Sequence, residues 1–180
     1  MVEAHRYLVA LVLWAGAAPG ADLAYWVEPC TRAETGCKPA DPELAGWAME
    51  AWQAAGGGSL KLRRAAQMDG ARIRIHWISG REGLYGETRG GDVYVRPEPG
   101  TGLRRDAIVY LTCLHESGHA LGLRHTADFG DIMYDFQYGG DITEYFGRYI
   151  RQLTRRRDIR KISGISLNDR AQLMRIFGEK

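Results

Sequence analysis

The sequence predicts an α+β fold for residues 22–180. Two segments, Leu60–Arg64 and 71–78, alternate apolar and polar residues, as half-buried strands do. Two longer segments, one starting at Asp41 and one spanning 103–121, carry apolar residues at helical spacing. The chain has 180 residues, of which 45% are hydrophobic and 26% charged, so it can bury one sizeable core.

Residues 1–21 have the pattern of a secretory signal peptide. Arg6 precedes a nearly all-apolar run at 7–18, and small residues follow up to Ala21. This run of 12 residues is too short to cross a bilayer, which takes about 20. An uncleaved N-terminal anchor or an additional amphipathic helix is the alternative. We favour export, with no membrane span and a mature chain that is secreted or periplasmic.

The first elements predicted for the mature chain are a strand at 23–27 and a helix starting near Asp41. Asp41 is expected to be the N-cap and Pro42 the first helical residue. The helix carries an aromatic stripe that we expect in the core, and the glycines at 56–58 end it.

The segment between the two helices has strand character on either side of a loop. His76 falls on the polar face of the strand at 71–78, where a solvated side chain is more common than a metal ligand. A glycine-rich loop follows at 80–91, and 92–96 is expected to be a further strand before Pro97.

The three cysteines have different predicted roles. Cys30 and Cys37 close a short loop, and an oxidising compartment would favour a disulfide between them. Cys113 lies on the second predicted helix and is expected to be buried and reduced.

Residues 141–161 combine an apolar and a basic face. Asp141 and Glu144 predict a capping box, and apolar residues from Tyr145 to Leu153 share one side of a helix. We expect the basic face to be solvated; the alternative is contact with an acidic substrate or an anionic surface. Its residues are Arg148, Arg151, Arg155, Arg156, Arg157, Arg160 and Lys161.

Ser166 and Asp169 form a second capping pair, at the start of a last helix that ends at Gly178. The formal net charge of +2 and the pI near 8.5 do not favour a nucleic-acid partner. We expect a monomer.

Three histidines and one glutamate lie close together on and just after the second predicted helix. Residues four apart share one helix face, so His115 and His119 can direct two imidazoles at one point. Gly122 allows a sharp turn, which would bring His125 back as a third ligand. Glu116 lies close enough to reach a bound water without binding the metal. Three ligands and one open position are typical of a catalytic zinc; the alternative is a core helix with incidental histidines.

This pattern resembles the signature of the metzincin metalloproteases, His-Glu-x-x-His-x-x-Gly-x-x-His followed by a Met-turn. Met133 stands where the methionine of the Met-turn would be. Thr126, the residue after the third histidine, is similar to the Ser or Thr found there in matrixins, the matrix metalloprotease-type branch. The resemblance, carried by 115–134, implies a twisted, mostly parallel sheet with an antiparallel edge strand, an active-site helix, a Met-turn and a C-terminal helix. It would divide the chain into subdomains at 22–122 and 123–180.

The resemblance implies a secreted zinc-dependent metalloendopeptidase. The three histidines would hold one catalytic zinc. Glu116 would act as general base towards a zinc-activated water and then as general acid. Met133 would form an apolar floor beneath the site without binding the metal.

The resemblance also implies where a protein or peptide substrate would bind. The strand at Val93, Tyr94 and Val95 would be the sheet edge that pairs with the substrate backbone. The pocket for the residue after the scissile bond would be apolar, although Asp135 stands where matrixins usually have Pro. The residues of this pocket would be Leu111, Tyr134, Phe136 and Tyr138.

The resemblance leaves several alternatives open. Animal matrixins hold a second, structural zinc on His and Asp residues of this loop and strand. This chain has Tyr94 and Arg96 there instead, so a structural zinc is not expected. The sequence makes no prediction about calcium. Cys30 or Cys37 capping the catalytic zinc is an alternative to the disulfide. A non-proteolytic zinc hydrolase, such as a cell-wall amidase, could use the same ligands, although the Met-turn and the edge strand argue against it. A secreted binding protein with a vestigial site is the other alternative, although decayed sites commonly lose the base and Glu116 is intact.

Overall fold

The computed structural model describes residues 20–80 and 85–178, which form a five-stranded sheet and several helices. The strand order is β2-β1-β3-β5-β4; β1, β2, β3 and β5 run parallel, and β4 is antiparallel to β5. The α+β class and the mostly parallel sheet with an antiparallel edge strand are therefore confirmed. The strands are β1 (Ala21–Val27), β2 (Leu60–Arg64), β3 (Ile73–Trp77), β4 (Gly86–Arg89) and β5 (Asp92–Val95).

Two long helices pack against each other and against the sheet. The first lies beside β1 and β2, and the second lies beside β3, β4 and β5. The indole Nε1 of Trp52 joins the two helices by donating to the carbonyl oxygen of Leu114 at 2.9 Å. No helix in the described part of the chain is both long and apolar enough to cross a membrane. The helices are α1 (Asp41–Ala55), α2 (Leu103–Ala120), α3 (Ile142–Ile150), α4 (Asp158–Lys161) and α5 (Leu167–Phe177).

The predicted leader falls almost entirely outside the described residues. Its last residue, Ala21, is the first residue of β1 and pairs with Leu60. The strand predicted at 23–27 thus starts two residues earlier in the structure.

The start of α1 differs from the prediction. Asp41 is the first helical residue and Ala40 the N-cap. The Asp41 carboxylate accepts a hydrogen bond from the amide of Lys38 at 2.9 Å and forms a buried ion pair with Arg105 of α2, 2.6 Å from its Nη2. The prediction that Asp41 is the N-cap is therefore wrong, because its carboxylate is paired with a buried arginine of a helix that is distant in the sequence.

The sheet edge is also not where the sequence placed it. β5 is hydrogen-bonded to β3 on one side and to β4 on the other, so Val93, Tyr94 and Val95 are internal. The edge strand is β4, which lies within the segment predicted to be a glycine-rich loop. Gly90 has φ of 62° and lies with Gly91 between the paired residues Arg89 and Asp92, so the two glycines make the turn of a hairpin.

The segment at 141–161 is broken rather than one helix. Asp141 caps α3 by accepting from the amide of Thr143 at 2.7 Å, but Glu144 pairs with Arg151 instead of completing a capping box. At the start of α5 both halves of the box are present: Ser166 Oγ accepts from the Asp169 amide at 3.0 Å, and the Asp169 carboxylate accepts from the Ser166 amide at 2.9 Å.

Much of the basic run at 148–161 is paired within the chain. Arg156 donates to Asp106 at 3.0 Å and lies over the ring of Trp47, and Arg160 donates to Glu50 at 2.7 Å. These contacts fasten the segment to α1 and α2, so the run is not one uniformly solvated helix face. A contact with an anionic surface stays a prediction.

Candidate metal centre

The α2 helix and the turn after it bring the three predicted ligands together. His115 and His119 lie one helical turn apart near the C-terminal end of α2. Gly122 has φ of 99°, a left-handed conformation that glycine adopts without a Cβ clash. The turn is closed by a hydrogen bond from the Leu123 amide to the Gly118 carbonyl at 3.0 Å, and His125 follows it.

The three imidazoles meet through the same ring nitrogen. The Nε2 atom of His125 lies 3.0 Å from Nε2 of His119 and 3.3 Å from Nε2 of His115. The three side chains form a group that could hold a metal ion.

The contacts of the Nδ1 atoms indicate whether each Nε2 atom bears a proton or a lone pair. Nδ1 of His115 lies 2.7 Å from the Ile132 carbonyl oxygen, and Nδ1 of His119 lies 3.0 Å from that of Leu123. Nδ1 of His125 lies 3.0 Å from Oδ2 of Asp135. These oxygens can only accept, so each Nδ1 carries the proton and each neutral ring presents a lone pair at Nε2. Three lone pairs facing one another repel unless a cation lies among them, so the donor set fits a metal ion.

Burial favours the neutral ring that metal binding requires. Desolvation lowers the pKa of His115 to about 4 and also lowers the pKa of His119. Both rings are therefore neutral near pH 7, and protons compete little with a metal ion for them.

Met133 packs directly beneath α2. It is fully buried, and a Cβ added at Gly118 would lie 2.6 Å from its Sδ and 3.0 Å from the ring of Trp52. Glycine at 118 therefore allows the methionine to approach the helix between its two histidines. The backbone around Met133 is tied to α5, because the Asp169 carboxylate accepts hydrogen bonds from the amides of Ile132 at 2.8 Å and Met133 at 3.2 Å.

Glu116 lies next to the histidines and under β4. It is 7% exposed, and its Oε2 accepts a hydrogen bond from the Thr88 hydroxyl at 2.8 Å. A Cβ on Gly86 would lie 2.7 Å from its Cγ, so the glycine makes room for the side chain. Burial raises the pKa of Glu116 to about 7, and the Thr88 hydrogen bond opposes this rise.

An apolar cavity of about 520 Å³ opens beside His115, His125 and Glu116. Leu111, Tyr134 and Phe136, which the sequence placed in the pocket, line it. Tyr138, the last residue of a 3₁₀ turn at Phe136–Tyr138, does not line it and is 59% exposed. The far wall consists of residues that sequence reasoning missed as pocket residues: Tyr85, Ile142, Tyr145 and Phe146.

A second cavity adjoins the same site and shares His115, His125 and Glu116 with the first. It has a volume of about 580 Å³ and is lined by Glu87, Thr88 and Gly90 as well as by His119. Gly86 borders both cavities, so β4 runs past the site from one cavity to the other. Val93, Tyr94 and Val95 line neither of these two cavities, as their internal strand position requires.

None of the three cysteines belongs to the histidine group. Cys30 and Cys37 form a disulfide with their Cα atoms 5.4 Å apart, before α1 begins. Cys113 is a free, fully buried thiol on α2, and burial raises its pKa. His76 lies in β3 and is not part of the histidine group. It stacks on Tyr94 and lies 3.2 Å from Asp92.

Comparison with models of protein families and with curated protein sequences finds no match to this chain. The resemblance to the metzincins consequently depends on the sequence pattern at 115–134.

Proposed function

We propose that this chain is a zinc-dependent metalloendopeptidase of the metzincin type. The observation that carries the proposal is the meeting of three Nε2 lone pairs beside one buried carboxylate, Glu116. Nitrogens 3.0 and 3.3 Å apart suit a zinc ion, which binds imidazole nitrogen at about 2.0–2.1 Å. Three histidines without a fourth protein ligand favour a catalytic rather than a structural zinc.

A zinc ion held by these nitrogens would act as a Lewis acid that lowers the pKa of a water molecule towards about 7 and polarises a carbonyl group. Glu116 would take a proton from the attacking water and later deliver it to the leaving amine. Its raised pKa, about 7, suits a group that must both accept and return a proton near neutral pH. Thr88 holds the carboxylate in a fixed orientation.

The surroundings of the site favour a peptide as substrate. One edge of β4 is not paired with a described strand, and an extended peptide can add to such an edge through backbone hydrogen bonds. The apolar cavity beside Glu116 would then receive the side chain that follows the scissile bond. Its aromatic and aliphatic walls predict a preference for a large apolar residue there.

Export forms part of the proposal. Disulfides persist in oxidising compartments, so the bond between Cys30 and Cys37 supports a secreted or periplasmic location.

The test is cleavage of a mixed peptide library by the zinc-loaded chain, read by mass spectrometry, beside Glu116→Gln. This variant keeps the shape and the hydrogen-bond acceptor of the side chain but cannot take up a proton. We expect cleavage to fall by about 10²–10⁴-fold, with zinc content unchanged. Glu50→Gln is the matched control. Glu50 lies on α1, where its carboxylate is paired with Arg160, and this variant should cleave peptides like the parent.

Equal cleavage by the parent and Glu116→Gln would exclude the assigned role of the glutamate. A zinc-loaded parent that cuts no peptide but releases fragments from peptidoglycan would favour the cell-wall amidase instead. Zinc binding without turnover on either substrate would favour a binding protein.

A further inference from the structure

The third histidine of the metal centre differs from the other two in its hydrogen-bond partner. His115 and His119 are matched with backbone carbonyl oxygens, whereas Nδ1 of His125 lies 3.0 Å from the side-chain carboxylate of Asp135. The side chain of His125 is also 43% exposed and lies outside α2. Its orientation therefore depends on Asp135 rather than on helix geometry.

Asp135 is itself held in place. Its Oδ1 accepts from the amide of Gln137 at 2.9 Å, and its Oδ2 accepts from the Gln137 side-chain amide at 2.6 Å. The amide of Asp135 donates to the carbonyl of Thr126 at 3.0 Å, which ties the residue to the neighbour of His125. These three hydrogen bonds hold the backbone and the carboxylate of Asp135 separately, so the position of the carboxylate is fixed by more than its contact with His125.

We propose that Asp135 is a positioning residue for the metal: its carboxylate keeps the proton of His125 on Nδ1 and aims Nε2 at the other two histidines. A negative charge on the far side of an imidazole also makes the ligating nitrogen a stronger donor, and such carboxylates typically contribute about 10–100-fold to metal affinity. This inference depends on the proposed function, since it concerns the same three ligands.

Zinc affinity of Asp135→Ala and Asp135→Asn, measured by competition with a chromophoric chelator, tests the proposal. We expect Asp135→Ala to bind zinc about 10–100-fold more weakly than the parent, and Asp135→Asn to lie between them, because the amide keeps one oxygen acceptor but no charge. Asp128→Asn is the matched control. It removes the same charge from the same connection. Among the hydrogen bonds described, the carboxylate of Asp128 accepts only from the Gly130 amide, so this variant should bind zinc like the parent.

A second readout follows the proton directly. In ¹⁵N-labelled, zinc-loaded protein, three slowly exchanging imidazole Nδ1–H signals are expected. Asp135→Ala should lose or shift the signal of His125 while those of His115 and His119 remain, because their acceptors are backbone carbonyls. A folding defect would instead alter all three signals, so the Asn variant and the spectrum separate positioning from loss of structure.

The outcomes are distinct. A parent that binds no zinc in the titration overturns the proposed function and this inference with it. A parent that binds zinc while both Asp135 variants bind it equally tightly overturns this inference alone. A loss in Asp128→Asn as large as in Asp135→Asn would likewise overturn it, because the effect would then be one of net charge.

Discussion

The two halves of the candidate metal centre are built by different means. In the α2 half, His115 and His119 are spaced by the helix itself and are half-buried. In the loop half, His125 is more exposed and needs a carboxylate from beyond Met133 to orient it. Local spacing is thus sufficient to place ligands within a helix, whereas a ligand outside it depends on residues that only the folded chain brings near.

The largest effect is expected where α5 holds the loop half. Asp169→Ala leaves the amides of Ile132, Met133 and Ser166 without their acceptor inside the protein. An unpaired buried donor costs about 1–3 kcal/mol, and two of these three amides are buried, so we expect the free energy of unfolding to fall by about 3 kcal/mol or more in urea denaturation.

Asp141→Ala is the control for that experiment. It removes an exposed N-cap that accepts from one amide, that of Thr143, and should cost only about 1 kcal/mol. Equal losses in the two variants would show that α5 does not hold the Met-turn.

The α2 half is expected to be sensitive to added volume instead. Gly118→Ala places a methyl group 2.6 Å from Met133 Sδ, so either the methionine or the helix must shift. We expect a loss of about 1–3 kcal/mol in the free energy of unfolding. In Gly147→Ala, a glycine in α3, the methyl group meets the flexible end of Arg151 first, and this control should hold or gain up to about 1 kcal/mol. A tolerated alanine at 118 would show that the Met-turn adapts to the helix.

The smallest effect concerns the contact between β4 and the helix. Thr88→Val removes the hydroxyl that donates to Glu116, and we expect about a tenfold loss in kcat/KM, the equivalent of one hydrogen bond. The Thr88 bond lowers the pKa of Glu116, so its loss raises that pKa further. A general base must be ionised, so the acidic limb of the kcat/KM profile should move to higher pH.

Thr126→Val provides the comparison for the Thr88 variant. Within the described residues the hydroxyl of Thr126 is buried without a hydrogen-bond partner, so its removal should leave the pH profile in place. An acidic limb that does not move in Thr88→Val, or that moves equally in both variants, would contradict the role given to Thr88.

Features of the candidate site that depend on residues a few positions apart could be predicted from the sequence. The four-residue spacing of His115 and His119, the turn at Gly122 and the capping box of α5 all arise from local backbone geometry. The same reasoning placed the edge strand wrongly. The glycines of 80–91 favour a loop, but the pair Gly90-Gly91 makes the turn of a hairpin between β4 and β5, a turn that two adjacent glycines also predict.

The chemistry of the candidate ligand set and the class of fold could therefore be predicted from the sequence, since both follow from short periodic patterns. Tertiary packing sets the partners of the site residues and of the helix start: Arg105 for Asp41, Thr88 for Glu116 and Asp135 for His125. It also decided that α3 walls the apolar cavity. Most of these contacts join residues far apart in the chain, and each depends on how whole elements pack, which no local pattern encodes.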